Sequence, residues 1–110
     1  MLPKAQRLTS ADFTRFRGSR SFHAAHFSMR VVRTASEAET KAAAVVSTKV
    51  AKSAVARNLL RRRIYAVLAV SLTSLRGLLV TITAKAGAPD LSFAELKSEL
   101  AALQKSALSG

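Results

Sequence analysis

The stretch KVAKSAVARNLLRRRIYAVL, Lys49 to Leu68, carries six basic side chains and no acidic one. From Ser53 onward its apolar residues recur at helical spacing. At about 100° per residue, Ala56, Leu60, Ile64, Val67 and Ser71 fall on one stripe, while Arg57, Asn58, Arg61, Arg62 and Tyr65 share the neighbouring arc. The spacing predicts a helix that lays its apolar stripe on a sheet and turns a basic face outward. Tyr65 falls at the centre of that basic arc, so a ring facing outward among the arginines is expected there.

The flanking sequence supplies the sheet. Upstream, FHAAHFSMRVV alternates, with Phe27, Met29 and Val31 on one side and His26, Ser28 and Arg30 on the other, as a half-buried strand does. AAAVVSTKV is a second, less clearly patterned strand. Downstream, Gly77 ends the helical region and LLVTITAKA alternates Leu78, Val80, Ile82 and Ala84 against Leu79, Thr81, Thr83 and Lys85. GAPD is a turn, and Ser92 with Glu95 three residues later forms a capping box for a last helix, whose expected core stripe is Phe93, Leu96, Leu100 and Leu103. TSADFTRFRG, with Thr9 or Ser10 as N-cap and Gly18 as stop, predicts a short helix ahead of the strands. The order is α, β, β, α, β, α, with the first sheet segment open to being split in two.

At 110 residues the chain fits one domain spanning residues 1–110, and its 49% hydrophobic content is enough for a modest core. The formal charge of +12 contributes nothing to stability and points to a polyanionic partner. All six acids are Asp12, Glu37, Glu39, Asp90, Glu95 and Glu99, so residues 40–89 hold only basic charge. With no Cys there is no disulfide, thiolate metal site or thiol nucleophile. The start, MLPKAQRLTS, lacks the apolar run of a secretory signal, and no stretch approaches the roughly 18 apolar residues of a membrane span. A cytoplasmic protein with no membrane partner is expected.

The run SxKVxKSAVxRN followed by LLRRR resembles the signature of the bacterial ribonuclease P protein subunit. Arg57 and Asn58 match the start of the family's Arg-Asn-Arg motif, and Arg61 and Arg62 match its later basic pair. RLTSADFTRF and LSFAELKSEL extend the likeness over most of the chain. Leu59 stands where the family usually has the second Arg, Tyr65 stands where it usually has another Arg, and Ser53 reads as one inserted position. The resemblance implies an α+β fold, a two-layer α/β sandwich of αβββαβα type with a left-handed β-α-β crossover. It also implies a protein that binds a catalytic RNA subunit and the 5′ leader of precursor tRNA, a monomer in a 1:1 ribonucleoprotein endonuclease. In such an enzyme the RNA and its Mg²⁺ ions perform the hydrolysis.

Two surfaces follow from the resemblance. Lys49, Lys52, Arg57, Asn58, Arg61, Arg62, Arg63 and Tyr65 would meet the catalytic RNA, and Phe13, Phe16 and Arg30 would line the cleft for the leader. The chemistry is consistent: guanidinium groups match phosphate geometry, and single strands are gripped by aromatic stacking beside basic groups. Charge runs that are merely solvated usually interleave Glu, and here none occurs. For Phe13 and Phe16 the other reading is an ordinary buried pair. No catalytic group is expected in the protein, because the carboxylates sit in turns and caps and His23 and His26 point to opposite faces of a strand-like segment. A structural RNA-binding protein of ribosomal type, with no processing role, is the alternative function.

Overall fold

The alternation in FSMRVVR is realised as a central strand whose Phe27, Met29 and Val31 are buried, with Arg30 exposed between them. The computed structural model describes residues 20–33, 40–71 and 77–109. The elements are β1 (Arg20–His23), β2 (Phe27–Arg33), β3 (Lys41–Val45), α1 (Ala54–Ser71), β4 (Leu78–Ala84), a 3-10 turn (Ala88–Asp90) and α2 (Phe93–Ser109). The helix expected ahead of the strands, with Phe13 and Phe16, lies outside the described residues.

Four strands form one sheet in the order β1-β2-β4-β3. β2 pairs antiparallel with both β1 and β4, whereas β3 pairs parallel with β4 and is joined to it through α1. Register places Phe27 opposite Ala84, Met29 opposite Ile82 and Val31 opposite Val80, while Val80 and Ile82 face Ala42 and Ala44 on β3. Residues directly opposite share a face, so these side chains make one apolar surface. α1 packs on β3, and α2 packs on β1 and β2. Leu60, Ile64, Val67 and Leu68 of α1 and Leu96, Leu100, Leu103 and Ala107 of α2 complete the core.

The first sheet segment is split in two, as the αβββ order implies: a hairpin turns at residues 24–26, where the Ala24 amide donates to the Phe27 carbonyl at 2.8 Å. Four other expectations change. His26 is in that turn rather than in a strand; its amide donates to Glu99 Oε1 at 2.9 Å and its Nδ1 lies 3.4 Å from the same oxygen. On the sheet's second face Leu79 and Thr81 are buried, so the alternation in β4 does not separate a wet side from a dry one. Phe93 is 45% exposed, because it is the first residue of α2 and sits in the groove between the helices beside Val67, Val70 and Lys97, leaving Leu96, Leu100 and Leu103 to carry the core stripe.

The fourth correction is Tyr65, which is buried at 9% exposure. Its hydroxyl oxygen accepts the Ala44 amide of β3 at 3.1 Å. β3 is an edge strand, so that amide has no neighbouring strand to bond, and a buried backbone donor must find a partner. The buried arc of α1 is wider than the stripe through Ile64 and Val67: it takes in Leu68, and Tyr65 forms its margin above β3.

Candidate nucleic-acid interface

The turn before α1 and the first turns of that helix gather most of the basic residues singled out in the sequence. Ser53 caps the helix: its hydroxyl accepts the Ala56 amide at 3.0 Å. The first turn of α1 carries no acidic residue, so the partial positive charge of the helix N-terminus is left uncancelled among basic side chains. Lys49 and Lys52 are exposed on the preceding turn. That turn is closed by the Val50 and Ala51 amides, both donating to the Ser47 carbonyl at 3.1 Å.

Within the helix the arginines divide by position. Arg57 is half-buried, and its Nη1 donates to the carbonyls of Ala51 at 3.0 Å and Lys52 at 2.9 Å. Arg61 donates through Nη2 to Asn58 Oδ1, which aligns the two side chains one turn apart. Arg62 is exposed on the outer side. Arg63 lies on the opposite flank, with its Nη1 3.5 Å from the Leu91 carbonyl after the 3-10 turn. The structure thus brings together Lys49, Lys52, Arg57, Asn58, Arg61 and Arg62, sets Arg63 to one side, and takes Tyr65 out of the surface. Val55 and Leu59 are also exposed on α1, so the residue at the position where the family usually has its second Arg is an apolar one at the surface.

Arg30 belongs to a different surface. It lies on the sheet face opposite α1 and α2, exposed on β2 and flanked in register by Ser21 of β1 and Thr81 of β4. Phe13 and Phe16, expected beside it, lie outside the described residues.

Two of the described acidic residues, Glu95 and Glu99, have structural partners. Glu95 and Ser92 form the expected capping box, with the Ser92 amide donating to Glu95 Oε1 at 2.9 Å and the Glu95 amide donating to the Ser92 hydroxyl at 3.1 Å. The Ser92 backbone bond, then its hydroxyl, holds the Glu95 carboxyl below the ordinary Glu range, and His26 adds to the effect. Glu99 tethers the β1–β2 turn through His26. Among the described residues no group of three or more His, Cys, Asp or Glu could hold a metal ion. No helix among them is long and apolar enough to cross a membrane.

Over residues 2–108 the sequence matches the family model for Ribonuclease P. No curated protein matches it. Among solved structures, the fold is similar to a Staphylococcus aureus RNase P protein mutant with defective mRNA degradation activity, with a TM-score of 0.84 at 23% identity over 94% of this chain and 89% of that one. It is also similar to the RNase P protein of Thermotoga maritima, with a TM-score of 0.79 at 19% identity over 91% of this chain and 96% of that one. At such identities the likeness speaks for the fold, and the family match speaks for kinship.

Proposed function

This chain belongs to the ribonuclease P protein family, and from that membership we propose how its surfaces serve the enzyme. As a protein component of ribonuclease P it works with an RNA subunit in tRNA processing. In our reading Lys49, Lys52, Asn58, Arg61 and Arg62 track the phosphates of that RNA, with Arg57 beside them. The sheet face bearing Arg30, together with Phe13 and Phe16, receives the single-stranded 5′ leader of precursor tRNA. Hydrolysis and its Mg²⁺ ions belong to the RNA subunit. The protein screens phosphate repulsion between two polyanions and holds the leader, acting as a monomer in a 1:1 particle in the cytoplasm.

The observation that carries the RNA contact is the absence of any acid between residues 40 and 89, with the basic groups gathered where α1 begins. A surface of that kind binds by counterion release, without sequence preference, and its affinity falls steeply with salt. Placing the leader on the opposite side of the sheet lets the two RNAs be held at once. A leader-processing assay with the RNA subunit of the same genome tests this. Multiple turnover at low Mg²⁺ should require the chain, and Arg30→Ala should weaken precursor binding while leaving affinity for the RNA subunit unchanged. Cleavage independent of the chain at every Mg²⁺ concentration would overturn the reading.

A further inference from the structure

Eight residues connect β3 to α1, and they must do two opposed things. Val46 and Ala51 are buried against the core, while Lys49 and Lys52 between and after them are exposed. The loop is therefore a basic tip on a buried base. Among the described residues, the backbone hydrogen bonds that close its tip are those of the Val50 and Ala51 amides, which share the Ser47 carbonyl. Both amides converge on one acceptor, a weak closure for a segment carrying two repelling ammonium groups.

Arg57 closes the other side. It stands one turn into α1, and both protons of its Nη1 are spent on the Ala51 and Lys52 carbonyls. Those are the carbonyls on which the loop turns from its buried base into the helix. The planar guanidinium fixes the directions of both Nη1 protons in one plane, which the shorter stem and freely rotating ammonium of lysine do not reproduce. Arg57 is half-buried, unlike the exposed Arg62.

Resting on the interface proposed above, we infer that Arg57 is a positioning residue: it clamps the Ser47–Ser53 turn and acts on RNA affinity through Lys49 and Lys52. A guanidinium that contacts phosphate itself contributes whether or not the lysines are present. One that positions them contributes only while they are there.

The test is a mutant cycle on the full chain with the RNA subunit, read as affinity against salt. Arg57→Ala should weaken binding by about 10-fold in the wild-type background and less than about twofold in Lys49→Ala/Lys52→Ala, because coupled groups do not add. Equal losses in the two backgrounds would make Arg57 an independent phosphate contact and overturn the inference. If Lys49→Ala/Lys52→Ala leaves affinity unchanged, the inference also falls; Arg62→Ala, measured alongside, reports separately on the interface. Amide exchange in the RNA-free protein gives a second readout. In both Arg57→Ala and Arg57→Lys the Val50 and Ala51 amides should exchange about 10-fold faster, with the amides of β2 unchanged. Unaltered exchange at Val50 and Ala51 would contradict the clamp.

Discussion

Replacing Tyr65 by Phe removes one oxygen and leaves the ring. That oxygen accepts the Ala44 amide at 3.1 Å, and Ala44 is itself buried on the edge strand β3. The variant has no acceptor to offer, and the amide is left without its partner in a dry place. An unsatisfied buried donor costs about 1 to 3 kcal/mol, whereas loss of an exposed hydroxyl costs next to nothing. At the lower end of that range the thermal midpoint falls by about 4 to 8 °C for a domain near this size. Affinity for the RNA subunit should stay within about twofold of wild type, because the ring is covered by α1 and β3. Circular dichroism melts and filter binding on the same preparation decide the matter. A variant that melts like wild type but binds RNA weakly would put Tyr65 on the interface and refute the reasoning.

Other perturbations probe the scaffold. Ser92→Ala removes the hydroxyl that accepts the Glu95 amide, one half of the reciprocal cap of α2, and should cost about 0.5 to 2 kcal/mol in urea unfolding. Because the folded Glu95 carboxyl titrates below its unfolded value, its contribution is present above the ordinary Glu pKa and lost as pH falls through the lowered one. In Ser92→Ala, the Glu95 titration followed by NMR should move up, and part of the acid sensitivity should disappear. Gly87 has φ 88°, and a Cβ there would stand 3.2 Å from His26 Cδ2. Gly87→Ala should therefore destabilise by more than about 1 kcal/mol, read as a lower urea midpoint with an unchanged slope.

The local parts of this fold were readable and the non-local ones were not. Phe27, Met29 and Val31 declare a strand face by alternation alone, and Ser92 with Glu95 declares a helix start, because both signals lie within a few residues. The place of His26 in the β1–β2 turn, where its amide is held by Glu99 73 residues away, was not readable locally. Ala24 and Ala25 at that turn carry no turn signature of their own. The burial of Tyr65 is non-local in the same way: its partner is on an edge strand 21 residues upstream, and the buried stripe through Ile64 and Val67 widens toward it through Leu68. The basic surface was legible because it is written as a gap, the run from 40 to 89 without an acid. How its arginines are partnered within the protein was not legible. Arg57 and Arg61 share that arc, yet Arg57 bonds two loop carbonyls and Arg61 bonds Asn58.

On the reading proposed above, the start of α1 binds the RNA subunit through phosphate contacts. The salt dependence of that binding, compared between wild type and Arg61→Ala/Arg62→Ala, tests it most directly. Each phosphate contact contributes about 0.9 to the slope of log affinity against log salt on a duplex, so the double variant should lose about two units of slope. Its melting temperature should be unchanged, since Arg62 is exposed and Arg61 bonds only within the helix surface. A double variant with the wild-type slope and affinity would contradict the account and move the RNA to another face of the protein.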